Sequence, residues 1–179
     1  MQSIQTVSEN TIYVGASDRR LAKFENLFPI PRGVSYNAYV ILDEKTALLD
    51  TADASVGAQF LENVAAALDG RKLDYLIVDH MEPDHAAMIE AVLVRWPDLR
   101  LVVNAKTLPM LKMYFPTDSA AFDDALVVKE GDTLDLGKHK LTFVMAPMVH
   151  WPEVMMTFDT TTGTLFSADA FGTFGALEG

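Results

Sequence analysis

The segment LDYLIVDHMEPDHAA, residues 73 to 87, constrains this chain more than any other. It opens as an apolar run that reads as a buried strand over 73–79. It then passes directly into a loop carrying His80, Glu82, Asp84 and His85, before a helical pattern resumes at 86. A buried strand that ends in four ligating side chains belongs to a sheet whose carboxyl end forms a site, the place where α/β proteins commonly build one. If 80–84 stay extended, His80, Glu82 and Asp84 project to one side and Met81 and Pro83 to the other. Pro83 biases Glu82 toward that extended form, and His85 follows at the helix start, where the chain can turn its imidazole toward the same cavity.

The surrounding pattern supplies the rest of the sheet. TIYVGAS (12–18), NAYVIL (37–42) and TALLDT (46–51) read as strands, and 54–70 as a helix closed by Gly70 at its C-cap. A helix over 86–96, a strand over 99–105 and a short helix over 106–115 follow, the last tolerating Pro109 in its first turn. A meander over 125–146 and a hairpin over 153–169, turning at 160–163, complete the chain. Strands first, then alternating helix and strand, then strands again predict a layered α/β domain with mixed sheets.

Composition limits the chemistry. The 179 residues contain no cysteine, which excludes disulfides, thiolate zinc sites and cysteine-ligated iron–sulfur clusters, so a metal must be held by nitrogen and oxygen. Fourteen basic against 25 acidic residues give a net charge of −11 with no basic patch, which argues against nucleic acid as a partner. The N-terminus lacks a signal pattern and no apolar stretch reaches membrane-spanning length, so a cytoplasmic protein with no membrane partner is expected.

A lone H-x-E is more often a solvated loop than a site, Asp84 alone would make a good helix N-cap, and exposed loop histidines are common. The joint pattern reverses that preference. His150, in PMVHWPE, and Asp169, in LFSADAFG, also fall in loops after apolar strands, so three of the four histidines sit at strand ends. Only His139, in GKHK, reads as ordinary surface. Asp50 and Thr51 either orient a ligand from behind or form a simple strand-end turn. Met145, Met148, Met155, Met156, Phe158, Phe171 and Phe174 read as core packing rather than as an apolar approach for gas.

H-x-E-x-D-H over 80–85, then His150 in HWPE and Asp169 in SADAFG, closely resembles the flavodiiron proteins, the A-type flavoproteins of the metallo-β-lactamase superfamily. The similarity continues through FENLFPIPRGVSYNAYVILDEKTALLDT (24–51) and covers essentially the whole chain. The resemblance implies a metallo-β-lactamase-like αββα sandwich with two iron ions. His80, Glu82 and His150 would hold one iron and Asp84 and His85 the other, with Asp169 bridging, and His85 is the ligand that some members turn away from the metal. Hydrolytic members of the superfamily mostly carry histidine where this chain has Glu82, and a carboxylate there suits iron.

The implied activity is reduction of dioxygen to water, of nitric oxide to nitrous oxide, or both. The implied electron donor is rubredoxin or a flavodoxin-like domain carrying FMN, commonly presented across a homodimer. Two features of the family pattern are missing: a further iron-binding histidine well beyond Asp169, and the flavodoxin-like domain. Residues 1–179 are therefore expected to be the N-terminal portion of the diiron domain, a fragment that binds no FMN and is nearly inactive alone, with apolar sheet surface left uncovered. A zinc hydrolase on the same fold and a non-catalytic metal-binding remnant are the alternatives.

Overall fold

The computed structural model describes residues 3–115 and 120–177. Seven strands form the larger sheet, in the spatial order Gln5–Ser8, Thr11–Tyr13, Tyr39–Leu42, Thr46–Leu49, Tyr75–Ile77, Arg100–Asn104 and Leu126–Val128. The first four pair antiparallel and the last four run parallel. A second sheet of four antiparallel strands, Thr133–Asp135, Lys140–Met145, Met155–Asp159 and Thr164–Phe166, packs on one face of the first.

Strand alternation divides the core cleanly. Ala47, Leu49, Ile77 and Val102 face the second sheet, where they meet Leu141, Phe143, Met155 and Phe166. Leu48, Leu76, Leu101 and Val103 point the other way, onto a helical layer that contributes Phe60, Val64, Ile89, Val92 and Leu111. This buried two-faced centre is why the strand Tyr75–Ile77 sits in the uninterrupted apolar stretch YLIV, residues 75–78. Among the described residues no helix covers the outer face of the four-stranded sheet. Val144, paired with Met156, and Leu165, paired with Phe158, remain exposed there.

Several elements differ from the expected ones, each for a physical reason. The strand expected over 12–18 divides at Gly15 into Thr11–Tyr13 and Ala16–Asp18, which pair with different partners. A Cβ at Gly15 would stand 1.9 Å from the Tyr36 carbonyl oxygen, so only glycine permits the crossing. The first strand of the expected meander, Leu126–Val128, leaves it to become the parallel edge of the larger sheet. The helix expected to close at Gly70 ends one residue earlier, with Asp69 as its left-handed C-cap. The helix expected over 86–96 begins instead as a short turn at Pro83–Ala86, followed by Ile89–Arg95. Pro83 occupies the first helical position, which its fixed φ favours, and Glu82, not Asp84, stands at the cap position.

His139 is not surface. It is fully buried, with Nδ1 2.8 Å from Asp159 Oδ2, while its backbone N–H donates to Asp43 at 2.6 Å. Asp159 also accepts from the Thr161 backbone N–H and the Thr162 hydroxyl. The pair thus ties three turns together at the end of the sandwich away from residues 80–85. Breaking a buried pair leaves its partner uncompensated, a loss on the order of 3–5 kcal/mol. His139→Ala is therefore expected to destabilise the chain by about 3 kcal/mol in urea denaturation. An exposed histidine would give a change close to zero.

Candidate metal centre

Three parallel-strand ends and two loops of the smaller sheet converge at one end of the sandwich. Asp50 follows the strand Thr46–Leu49 and holds a φ of 55°, a left-handed conformation uncommon outside glycine that turns its carboxylate back under the next loop. Its Oδ1 accepts the backbone N–H of Asp79 at 2.7 Å and that of His80 at 3.4 Å, and its Oδ2 lies 3.0 Å from His85 Nδ1. Thr51 donates its hydroxyl to the His85 carbonyl at 2.6 Å and its N–H to the same oxygen at 2.8 Å. Of the two readings left open for Asp50 and Thr51, orientation of a histidine is the one observed.

All six residues singled out by the sequence meet here. His80 Nε2 lies 3.1 Å from Glu82 Oε2 and 3.5 Å from Asp169 Oδ2. His150 Nε2 lies 2.9 Å from the same Glu82 oxygen and 3.1 Å from Asp169 Oδ2. On the other side, His85 Nε2 is 2.8 Å from Asp169 Oδ1 and 3.8 Å from Asp84 Oδ2. Two clusters result, His80 with Glu82, His150 and Asp169, and Asp84 with His85 and Asp169. Within each, one ligand atom per residue lies within 4.8 Å of the others. Asp169 belongs to both and turns one oxygen toward each.

The route to this convergence differs from simple extension through 80–84. Because the helix starts at Pro83, Asp84 and His85 leave from its first turn. The positive φ values of Met148 and Ala168, 67° and 47°, mark the tight bends that bring in His150 and Asp169. His80, Glu82 and His85 are buried, whereas His150 is exposed. Met155 packs in the core as expected, but Met148, Phe171 and Phe174 are 70%, 89% and 39% exposed and Met145, Met156 and Phe158 only partly buried, so the methionine–phenylalanine group is not one core cluster. Phe24, Phe28 and Phe174 instead border a cleft of about 670 Å³ that reaches Glu82, Asp84, His150 and Asp169.

The charges are mutually dependent. Burial works to lower the His80 and His85 pKa values, but contacts with Asp169, with Glu153 and Glu82 for His80 and with Asp50 for His85, raise them to about 11 and about 10. Asp169, despite its own burial, is held well below the usual carboxylate range by the two histidines. Burial raises Asp84 to about 6, and its Oδ1 is buried with no hydrogen-bond partner among the described residues. An orphaned carboxylate oxygen, and imidazole nitrogens aimed at carboxylates, form a donor set that demands cations. Protonated imidazoles would answer that demand, and so would divalent ions, which take nitrogen and oxygen donors of this kind.

Sequence reasoning missed four neighbours. Glu153 contacts the back of His80 at 2.8 Å, and Trp151 stands edge-on to the same ring with centroids 5.4 Å apart. Asp79 is fully buried, accepts the Thr157 hydroxyl at 2.8 Å, and is pushed well up by burial and then by Asp50. Glu25, on the cleft wall, is raised by burial and by Glu82. The buried acids gave a partial signal, since Asp79 and Glu153 are acidic residues set directly against apolar strands.

Residues 34–178 match a family model described as ODP family beta lactamase. Putative diflavin flavoprotein A 1 of Thermosynechococcus vestitus is 38% identical over 169 residues, covering 93% of this chain and 28% of its own length. Anaerobic nitric oxide reductase flavorubredoxin of Klebsiella pneumoniae is 38% identical over 168 residues, covering 93% of this chain and 34% of its own length. The chain thus spans about a third of these relatives. Rubredoxin oxygen:oxidoreductase from Desulfovibrio gigas superposes with a TM-score of 0.92 at 31% identity, over 98% of this chain and 43% of that one. The flavodiiron protein from Giardia intestinalis does so with a TM-score of 0.89 at 27% identity, over 99% and 42%. The mixed α/β architecture is that of the metallo-β-lactamase-like domain of flavodiiron proteins.

His80 and His85 titrate above their ordinary value of 6.5, so their stabilising contribution is complete below 6.5 and disappears as pH rises through about 10 and 11. Asp84 is raised from 3.8 to about 6 and loses its smaller contribution over that range, while Asp169, being lowered, contributes above its ordinary 3.8 and fails in acid. With chelator present, the urea midpoint is expected to be highest in mildly acidic buffer and to fall steadily from pH 7 to 11. Metal affinity should run the other way and rise with pH, since the two imidazoles must release protons first.

Proposed function

The chain belongs to the ODP family of β-lactamase domains, and from that premise we propose that residues 1–179 correspond to the N-terminal portion of a metallo-β-lactamase-like diiron domain of flavodiiron type. In this reading His80, Glu82 and His150 would hold one iron and Asp84 and His85 the other, with Asp169, common to both clusters, serving the two. The observation that carries it is the splayed Asp169 carboxylate, with Oδ2 on His80 and His150 and Oδ1 on His85. Its ability to serve two cations at once is what separates this site from a single-metal one.

Held there, an iron pair would supply redox chemistry for the four-electron, four-proton reduction of dioxygen to water, the two-electron, two-proton reduction of two nitric oxide molecules to nitrous oxide and water, or both, with protons from solvent and electrons renewed by a donor. The chain's own residues prepare the site for that chemistry. Asp50 engages Nδ1 of His85 and leaves Nε2 facing Asp169 and Asp84. Phe24, Phe28 and Phe174 give the approach an apolar rim that admits small uncharged molecules. Glu25, whose carboxyl holds its proton to higher pH beside Glu82, supplies a titratable group at the mouth. Electrons come from outside these residues, from a rubredoxin or a flavodoxin-like domain carrying FMN, the latter presented across a homodimer.

Three carboxylates, Glu82, Asp84 and Asp169, meet three imidazoles, a set suited to iron rather than to the histidine-rich sites typical of zinc. The alternative of a zinc hydrolase keeps the same fold but leaves Glu82 without a reason. Two outcomes are expected. Glu82→His, prepared beside the parent chain under equal iron and zinc, should retain more zinc relative to iron by elemental analysis, and an unmoved ratio would remove Glu82 from the ligand set. The isolated chain should show almost no oxygen or nitric oxide consumption with reduced rubredoxin, and turnover should appear when the C-terminal portion of a full-length relative is supplied. Robust turnover by the chain alone would overturn the view that it is one portion of the catalytic unit.

A further inference from the structure

We propose that Glu153 is the positioning residue for His80, fixing the imidazole proton on Nδ1 and presenting Nε2 to the metal as a strengthened donor. The inference rests on the metal-centre reading above and concerns a residue outside the six proposed ligands. Glu153 lies three positions after His150, in the same HWPE stretch, yet it turns into the protein and has side-chain exposure of 0%.

One oxygen, Oε1, serves two donors. His80 Nδ1 lies 2.8 Å away, and the Met81 backbone N–H donates to it at 3.0 Å. The carboxylate is therefore aimed by the backbone immediately after His80 and cannot follow a rotating ring. The main chain of Glu153 is fixed as well, since the buried Asn104 side chain donates to its carbonyl at 2.6 Å. Asn104 ends a strand of the larger sheet and Glu153 precedes a strand of the smaller one, so the carboxylate is anchored from both sheets.

The second oxygen, Oε2, is buried and has no hydrogen-bond partner among the described residues. A buried carboxylate with one oxygen unserved is costly unless a positive charge lies nearby. Among the described residues the group in ion-pair contact with this carboxylate is the His80 ring, which can carry that charge as imidazolium or through a cation on Nε2. Conversely, an anion behind a neutral imidazole enriches the lone pair on the far nitrogen, the role carboxylates play behind metal-bound histidines generally.

The three histidines are consequently unequal. His80 is backed by Glu153 and His85 by Asp50, whereas exposed His150 has no carboxylate on Nδ1 among the described residues. Each cluster thus has one histidine held by a dedicated buried acid. Removing Glu153 should weaken the cluster containing His80 and spare the one containing His85.

The test uses the full chain with Co(II) as the probe, comparing the parent, Glu153→Gln and Glu153→Leu. Affinity is read by competition with a chromophoric chelator, and the ring nitrogens and Nδ1 protons of His80 and His85 by NMR with and without chelator. Glu153→Gln preserves an acceptor at Oε1 and guards against misfolding; it should keep the His80 Nδ1 proton resonance while weakening Co(II) about tenfold, and Glu153→Leu should abolish that resonance and weaken Co(II) about 100-fold, the range for partners behind a ligand. In both, His85 signals should stay in place. Parent-like affinity in both variants, or His85 signals that move as much as those of His80, would overturn the positioning role. A parent chain that takes up no Co(II) would instead overturn the metal-centre reading. A His80 Nδ1 resonance indifferent to both substitutions defeats the present inference whatever the metal result.

Discussion

The arrangement at the carboxyl end of the sheet depends on the Asp50 carboxylate. It stands at the end of one central strand and captures two successive backbone N–H groups and one imidazole from the loop after the next. Charge-assisted bonds of this kind are about twice as strong as neutral ones, and they fix the loop before any of its side chains is considered. The left-handed backbone at Asp50 is strained for a non-glycine residue, and strain of that kind persists only where the surroundings over-determine it. Here the parallel pairing of Thr46–Leu49 with Tyr75–Ile77 does so, because it fixes how far the loop lies from the carboxylate.

The site is also where the two sheets are joined. The Met155 N–H donates to the Asp79 carbonyl at 3.0 Å, the Thr157 hydroxyl to the Asp79 carboxyl, and Asn104 to the Glu153 carbonyl. Between this end and the polar turns around Asp43 and His139 at the other, the sheets meet through apolar side chains, which resist separation but tolerate sliding. Polar links with defined geometry set the register of one sheet on the other, and at this end they set the separation of His80 from His150. Packing and the geometry of the candidate site are thus one problem solved by the same buried acids.

Much of this was legible from residue order, and the parts that were not share a cause. The apolar stretch before His80, the alternation of carboxylates with histidines and the strand-end placement of His150 and Asp169 are local patterns, so the six converging residues could be named in advance. What His139, Glu153 and Asp79 do depends on partners 20, 73 and 78 positions away, which no local pattern records. His139 sits in a turn sequence that reads as surface, and only the return of Asp159 from the next hairpin buries it. The departure of Leu126–Val128 to the larger sheet is a pairing choice between two available edges, and alternation along the strand is the same in either. At Pro83 the local signal was present but double-edged, since proline both extends the residue before it and begins helices.

The reach of Asp169 back to His85 has a consequence for the chain as a polymer. Asp169 and His85 are 84 positions apart, and the contact between them, together with that to His80, closes about half of the sequence into a loop. Bringing the two ends of so long a loop together costs entropy on folding, and that cost grows only slowly with length, by about 0.6 kcal/mol per doubling. Secreted domains obtain such a constraint from a disulfide, which a chain without cysteine cannot form. An ionic clasp at Asp169 is of another kind: it opens when the chain unfolds, so it holds the folded form alone, and only while positive charge faces its carboxylate.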